Sequence, residues 1–329
     1  MDEARRARYD RLSAALASHS DLAGLVENGS PGEVGIGGGS ATFEVAGARV
    51  FAKRIPLTDR ELAHPRSTAN LFGLPTFCQY GVGSPGFGAW RELAANQLVT
   101  QAARAGGTGR FPVLLHWQML PGRPALPAKQ VDVEAWGGSS AVRARLEELA
   151  AATHSLVLFL EFIPHPLLDW LNEDPLGRAE TLEQQLMEIA SALRGLRLLH
   201  MDGHFANLRT DGTDIYLADF GLATSPRFEL SPAERLFAEK HVTHDAAYAS
   251  MRLVNWVVTA VCGVPMAERN EFVRRCAAGR IPGDVPPRAA AIMGRHAARA
   301  ALMNSFYWNV FGGDLGAEYP AAAILSTDR

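Results

Sequence analysis

The pattern of apolar and polar positions divides the chain into a strand-rich front and a longer helical part. Apolar residues alternate over 41–45 and 49–55, and a turn containing Gly47 joins the two segments as a predicted hairpin. Short apolar runs predict further strands over 111–119 and 156–163. A sheet in the first half of the chain follows from these four segments.

Helical spacing dominates the remaining segments. Leu182, Leu186 and Ile189 fall on one stripe, which predicts a long helix over 182–199. Residues 56–88 are rich in proline and glycine without a clear period, and they are predicted to form a loop of a length that is often functional. The other helices predicted from apolar spacing cover 1–26, 89–105, 141–152, 167–172, 232–239, 246–261, 266–278 and 288–306.

Composition and charge are those of an ordinary globular protein. The chain has 329 residues, of which 47% are hydrophobic and 20% charged, enough for one large or two modest domains. A net charge of -3 predicts no broad basic surface and no nucleic-acid partner. Three scattered cysteines predict no disulfide framework. We expect a cytoplasmic protein without a membrane partner, because the N-terminus lacks the apolar core of a secretory signal and residues 257–266 are too short to span a bilayer.

Two acids and an amide stand at spacings that suit a metal-bound triphosphate. Asp202 and Asn207 are five positions apart, and Asp219 begins an Asp-Phe-Gly turn directly after an apolar segment. Phosphoryl transfer needs a carboxylate to orient the attacking hydroxyl and oxygen ligands for magnesium. These residues are therefore candidates for that chemistry.

The order of these residues resembles the protein-kinase-like superfamily, which includes protein kinases and small-molecule kinases of the aminoglycoside type. The resemblance lies in His200-Met201-Asp202, four further residues, Asn207, and then Asp219-Phe220-Gly221. It implies that Asp202 is the catalytic base, that Asn207 and Asp219 are the magnesium ligands, and that ATP is the phosphoryl donor.

The same resemblance implies an α+β fold with two lobes, a small β-rich N-lobe and a larger helical C-lobe. On this basis the chain is expected to contain an N-terminal helical extension over 1–30, an ATP-binding N-lobe over 31–163 and a catalytic C-lobe over 164–329. The oligomeric state stays open.

Lys53 lies in the middle of a predicted strand and is one of only three lysines in the chain. The resemblance implies that it binds the α- and β-phosphates and is held by a glutamate from the next helix. Glu92, early in the helix predicted over 89–105, is the preferred partner, and Glu61 is the competitor.

The glycine-dense segment before the hairpin is the expected phosphate-binding turn. Backbone N–H groups there could approach phosphates closely because glycine has no Cβ. Gly35 and Gly37 fit the first two glycines of the family pattern, Gly38 lies beside them, and Ser40 stands where the third glycine would fall. This turn is expected to contact ATP.

Three further residues receive roles from the resemblance. Glu161 and Ile163 belong to the expected hinge, whose main-chain groups would bind adenine. His204 could donate to the γ-phosphate or could brace the loop, and both interpretations stay open. We expect the side chains of Lys53 and Asp219 to converge with those of the catalytic loop on one nucleotide.

The hydroxyl acceptor is left open between a protein and a small molecule. Met201 stands where regulated protein kinases have an arginine that binds a phosphorylated activation loop, so regulation of that kind loses its usual anchor. The segment Ser231-Pro232-Ala233-Glu234 only loosely resembles the Ala-Pro-Glu motif of protein kinases. The Asp202-Gly203-His204 arrangement and the missing Ala-Pro-Glu favour a small molecule or an unusual target, whereas Leu222-Ala223 after the Asp-Phe-Gly turn is more typical of protein kinases.

Two other function classes compete with an active kinase. The first is a nucleotide-binding pseudokinase that acts as a scaffold. The second is a metal-dependent hydrolase, because His200, Asp202 and His204 alternate and would face one side of a strand, where they could hold zinc. The hydrolase leaves Asn207 and Asp219 unexplained.

Overall fold

The computed structural model describes residues 1–32, 38–81, 84–124 and 133–327. The fold is α+β, with a five-stranded antiparallel sheet, a three-stranded sheet and numerous helices. The chain divides into two compact units. Unit 1 contains Met1–Ile163 and Ala218–Arg235, and unit 2 contains Pro164–Leu217 and Leu236–Arg329.

The five-stranded sheet belongs to unit 1 and has the order β1-β2-β3-β5-β4. The predicted hairpin is confirmed, with positive φ angles of 48° at Ala46 and 74° at Gly47, as its two-residue turn requires. The later strand β5 lies between β3 and β4, so the sheet joins segments distant in sequence. The strands are β1 Ser30–Pro31, β2 Gly39–Val45, β3 Ala48–Leu57, β4 Leu114–Pro121 and β5 His154–Glu161.

The helices of unit 1 differ from the prediction at two places. The single helix predicted over 1–26 is two helices, because Asp21 accepts a hydrogen bond from the Gly24 amide (2.8 Å) and caps a new start. The predicted loop 56–88 contains a short helix and a 3-10 turn at Thr76–Tyr80. The helices are α1 Glu3–Ala17, α2 Leu22–Glu27, α3 Asp59–Ala63, α4 Ala89–Arg104 and α5 Ser140–Ala151.

The sheet of unit 1 buries apolar side chains on both faces. Val157 and Phe159 of β5 pack in one cluster with Leu16 of α1, whereas Leu158 packs in another with Trp90 of α4. Successive residues of a strand point to opposite faces, so β5 contributes to both clusters. This double burial explains why residues 156–160 read as one continuous apolar run.

Unit 2 contains a small sheet and most of the helical part. The small sheet, in the order β6-β7-β8, consists of β6 His165–Pro166, β7 Leu208–Thr210 and β8 Ile215–Leu217. The long predicted helix begins earlier than 182, because Asp174 caps it by accepting from the Gly177 amide and Pro175 occupies its first position. The helices are α6 Leu167–Glu173, α7 Pro175–Leu196, α8 Pro232–Lys240 (which contains the boundary at Arg235), α9 His244–Trp256, α10 Arg269–Ala277, α11 Pro287–Phe311 and α12 Ala321–Ser326.

Over the described ranges, no helix combines the length and the apolar character needed to cross a bilayer.

Candidate active site

Lys53 projects from the centre of the unit 1 sheet. It lies on β3 opposite Ser40 of β2 and Leu158 of β5, so its backbone is fixed from both sides. Its side chain is only 13% exposed. An ammonium group with so little access to water needs a charged partner, and Glu92 and Asp219 each provide one.

Glu92 supplies the first partner. Its Oε1 atom lies 2.8 Å from Lys53 Nζ, and it is placed there by the first turn of α4. Glu61, the alternative partner, is occupied elsewhere: its carboxylate accepts from Thr58 in a capping box at α3 and from the Ala89 amide, and Arg145 lies 3.2 Å away. The structure therefore pairs Lys53 with Glu92.

Asp219 supplies the second partner, with Oδ1 2.6 Å from Lys53 Nζ. Its backbone has a left-handed φ of 63°, a conformation that aspartate tolerates better than most residues. Gly221 donates its amide to the same oxygen at 3.1 Å. A Cβ at Gly221 would lie 3.1 Å from Asp219 Oδ1 and 3.4 Å from Glu92 Oε2, so glycine leaves room for the two carboxylates.

The electrostatics of this group follow from burial and charge. Burial disfavours the charged Lys53, but the carboxylates of Asp219 and Glu92 outweigh it and hold the pKa of the ammonium above its ordinary value. Burial raises the pKa of Glu92 to about 7, with Lys53 opposing the rise and Asp219 adding to it. When Glu92 is ionised, two carboxylates surround one ammonium, and the excess of negative charge suits a further cation.

Glu234 holds the segment after Asp219 onto α4. Its Oε1 accepts from Arg91 Nη2 at 2.7 Å, and both side chains are almost completely buried. Its Oε2 accepts from the Ser231 amide, and Ser231 Oγ accepts from the Glu234 amide, which forms a capping box at the start of α8. The sequence Ser231–Glu234 is thus a helix cap, and Glu234 also forms an ion pair with Arg91, the residue before Glu92.

The predicted loop 56–88 also holds this segment. Thr68 donates its amide to Glu229 Oε2 at 2.8 Å and accepts from the Glu229 amide at 2.9 Å. The Thr68 carbonyl in turn accepts from Arg91 Nε at 2.6 Å. The loop therefore connects the segment after Asp219 with the helix that contains Glu92, all within unit 1.

The candidate phosphate-binding turn is described only in part. Gly35 and Gly37 lie outside the described residues. Gly38 has a φ of 124°, and a Cβ there would lie 2.0 Å from the Arg54 carbonyl oxygen, so only glycine fits this close approach of two backbones. Ser40 continues β2, and its carbonyl accepts from the Gly32 amide at 2.9 Å.

Glu161 and Ile163 lie at the end of β5. The Glu161 amide donates to the Val113 carbonyl at 2.9 Å, so adenine would have to compete with the sheet for this group. The Glu161 carboxylate accepts from Arg5 Nε at 3.0 Å and from Arg8 Nη2 at 2.7 Å. Ile163 is buried, and its predicted contact with adenine stays a prediction.

Arg5 fastens helix α1 to this end of the sheet. Besides Glu161, it donates to the carbonyl oxygens of Gly109 and Phe111, each at 2.7 Å. With its guanidinium satisfied in this way, Arg5 is almost fully buried. The N-terminal helix is therefore part of unit 1.

In unit 2, Asp202 and Asn207 lie on one loop and contact each other. Asn207 Nδ2 donates to the Asp202 carbonyl at 2.9 Å and to Asp202 Oδ2 at 3.2 Å. With its nitrogen occupied, Asn207 offers its amide oxygen to a cation. His204 Nε2 lies 3.6 Å from Asp202 Oδ1, and both of its predicted roles stay open.

The strand needed for the hydrolase hypothesis is not formed. Residues 200–204 have no strand conformation, and His200 is completely buried, with Nδ1 accepting from the Asp202 amide. His200 is therefore a packing and hydrogen-bonding residue of the loop. Within the described part of the chain, no group of three or more His, Cys, Asp and Glu side chains is arranged to hold a metal ion.

Asp245, which sequence reasoning missed, supports this loop from the start of α9. Its two carboxylate oxygens accept from the amides of His200 (2.7 Å) and Met201 (3.0 Å). Met201 has a left-handed φ of 66°, which turns its amide toward Asp245. His244 Nδ1 lies 3.2 Å from the same carboxylate, and Tyr307 lies 2.7 Å from His244 Nε2.

We expect Asp245→Ala to lower the free energy of unfolding by about 1–3 kcal/mol, because two backbone N–H groups lose their acceptor. Urea denaturation followed by circular dichroism measures the change. Asp284→Ala, at an exposed position in the same unit, is the control and should stay within about 0.5 kcal/mol of the wild type. Equal stability of the two variants would contradict the supporting role of Asp245.

Comparison with protein-family models and with curated proteins gives no match for this chain.

Proposed function

We propose that this chain is an ATP-dependent phosphotransferase that transfers the γ-phosphate of Mg-ATP to a hydroxyl acceptor. The observation that carries the proposal is the contact of Lys53 with both Glu92 and Asp219. Three residues from distant parts of the sequence form the charged group that phosphoryl transfer needs for the α- and β-phosphates and magnesium. We further propose that the fold is the two-lobed protein-kinase-like one, with unit 1 as the N-lobe and unit 2 as the C-lobe.

In this proposal, Lys53 exchanges part of its contact with Asp219 for the phosphates of ATP. Glu92 keeps the ammonium in place during that exchange, because its carboxylate is buried and anchored by α4. Asp219 is 44% exposed in its side chain and so has an accessible carboxylate. The backbone of Gly38 would approach the phosphates, with Gly35 and Gly37 as further candidates.

Asp202 orients the acceptor hydroxyl and takes its proton. The Asp202 carboxylate is positioned by the Asn207 amide, and its loop is positioned by Asp245. Positioning and charge neutralisation supply most of the catalysis in this class of reaction, so residues that hold the carboxylate in place contribute to the rate.

The two residues proposed as magnesium ligands each carry a suitable kind of oxygen atom. Asp219 provides a carboxylate and Asn207 an amide oxygen, and oxygen atoms of this kind are the ligands that magnesium prefers. When bound, magnesium offsets the negative charge of the phosphates. The excess negative charge around Lys53 supports the same assignment.

The experiment that tests the proposal incubates the full chain with Mg-ATP and a panel of hydroxyl acceptors, and quantifies ADP together with phosphorylated product. Lys53→Met should lower turnover by at least about 10²-fold, because the charge opposite the phosphates is lost. Lys240→Met is the matched control, since Lys240 is exposed and only loosely paired with Glu318 at 3.6 Å. It should leave turnover unchanged.

The same assay separates the active enzyme from a scaffold. Magnesium-dependent binding of ATP without product from any acceptor would favour the pseudokinase. Absence of nucleotide binding in the wild type, or equal turnover in Lys53→Met and Lys240→Met, would overturn the proposal.

A further inference from the structure

Arg252 of α9 lies beside the catalytic loop of unit 2. Its guanidinium carbon is 5.4 Å from the ring centroid of Phe205, which follows His204 in the loop. Stacking on an aromatic face orients a guanidinium group while leaving its N–H donors available at the edge. Arg252 therefore lies next to the loop that contains Asp202, the residue proposed to orient the acceptor hydroxyl.

Three buried donors in and near Arg252 lack acceptors among the described residues, whereas Arg269 Nη1 donates to Met266 Sδ. The Nε atoms of Arg252 and Arg269 are buried and make no hydrogen bond in the described part of the chain, and the same holds for Trp256 Nε1, one turn beyond Arg252 on the same helix. Neither arginine forms an ion pair with any carboxylate among the described residues. A buried donor without an acceptor is costly, so this set of N–H groups is suited to an incoming anion.

This arrangement differs from that of other arginines in unit 2. Arg295 makes a bidentate contact with Glu183, with distances of 2.7 and 2.6 Å, and Arg274 pairs with Glu271 at 2.8 Å. Arg252 and Arg269 instead lie close enough for their positive charges to repel each other. Burial lowers the pKa of Arg269, and the positive charge of Arg252 lowers it further. Two guanidinium groups without a carboxylate between them favour a bound negative charge.

Tyr248, which lies on α9 like Arg252, shows where Arg252 lies relative to Asp202. Burial raises the pKa of Tyr248 to about 12, and its hydroxyl feels both the positive charge of Arg252 and the negative charge of Asp202. Its ring is also the nearest neighbour of the position that a Cβ at Gly203 would occupy, at 4.0 Å. Arg252 and Asp202 therefore flank one tyrosine within unit 2.

We infer that Arg252 and Arg269 form an oxyanion-binding subsite next to the catalytic loop, and that the hydroxyl acceptor is a small molecule bearing a phosphate or carboxylate group. The assignment of this ligand as the phosphoryl acceptor rests on the proposed function, but the binding of an oxyanion at Arg252 does not depend on it. Arginine suits such a ligand because its planar fork matches the oxygen atoms of phosphate and carboxylate.

A binding experiment without nucleotide tests the subsite. Inorganic phosphate is titrated into the full chain in a low-salt, phosphate-free buffer and followed by calorimetry. We expect the wild type to bind phosphate and Arg252→Met to bind it at least about tenfold more weakly, because a charge-assisted contact is lost. Arg288→Met is the matched control, since Arg288 is exposed on α11 of the same unit, and it should bind like the wild type.

A second control locates the phosphate. Lys53→Met should bind phosphate as the wild type does, because the subsite does not include Lys53. Equal affinity in the wild type and Arg252→Met, no binding by the wild type, or loss of binding in Lys53→Met would overturn the inference. If Arg252→Met does not keep the wild-type melting temperature, Arg269→Met replaces it with the same expected loss.

The acceptor class is tested in a separate assay with Mg-ATP and paired hydroxyl compounds. Glycerol and glycerol 3-phosphate form one pair, and N-acetylserine amide and N-acetylserine form another. We expect the anionic member of at least one pair to be phosphorylated with a lower KM, and this preference to fall at least about tenfold in Arg252→Met but not in Arg288→Met. Preference for the neutral members would overturn the acceptor assignment while leaving ATP turnover intact, so it is distinguishable from failure of the proposed function.

Discussion

Replacing Asp202 with alanine should abolish detectable phosphoryl transfer while leaving nucleotide affinity within about threefold of the wild type. The proposed base takes the proton of the acceptor hydroxyl, and loss of a positioned base costs about 10²–10⁴ in rate. The nucleotide contacts assigned to Lys53 and Asp219 belong to unit 1 and keep their own supports in Glu92 and Gly221. Product formation measures the rate, and calorimetric titration with Mg-ADP measures the affinity.

Asp284→Ala is the control for this experiment, because it removes an exposed carboxylate from the same unit without touching the loop. It should keep wild-type turnover and affinity. Full turnover in Asp202→Ala would contradict the assignment of the base. Joint loss of turnover and nucleotide binding would indicate that Asp202 contributes to nucleotide binding rather than to acceptor chemistry alone.

Replacing Arg91 with methionine should lower the free energy of unfolding by about 3–5 kcal/mol, more than Asp245→Ala does. The reason is that the change leaves the Glu234 carboxylate buried without its partner. The change also removes the hydrogen bond from Arg91 to the Thr68 carbonyl. Urea denaturation gives the free energy of unfolding, and the melting temperature should fall with it.

The more exposed pair Arg60–Glu148 of the same unit, with side chains 47% and 28% exposed, provides the comparison. Arg60→Met should cost no more than about 1 kcal/mol, because water replaces the lost partner. The double variant Arg91→Met with Glu234→Met should recover part of the stability, since it removes the uncompensated charge as well. A cost for Arg91→Met no larger than that for Arg60→Met would show that the buried pair does not hold the segment after Asp219.

Local patterns predicted the elements that depend on neighbouring residues. The hairpin at Gly47 and the helix α4 follow from alternation, turn chemistry and helical spacing within a few residues. Helix boundaries were less accurate where a capping residue decides them. Asp21 splits the N-terminal helix, and Asp174 starts α7 before its apolar stripe begins.

Contacts between distant residues were predictable only where a motif named them. Lys53, Glu92 and Asp219 were singled out from the resemblance, and the structure brings them together. Nothing in the local sequence around Asp245 or Glu234 indicates their partners, since Asp245 supports a loop 45 residues earlier and Glu234 pairs with an arginine 143 residues away. Such carboxylates look like surface acids until the fold buries them.

The order of translation constrains how unit 1 folds, because its two parts are separated in the sequence by residues of unit 2. Arg5 emerges long before Glu161, its partner 156 residues later, and the unit still lacks Ala218–Arg235 when β5 has been made. Lys53 and Arg91 therefore lack their partners Asp219 and Glu234 while residues 164–217 of the other unit are translated. Unit 1 completes its burial only after residue 235 has left the exit tunnel, so the nascent chain cannot finish one unit before beginning the next.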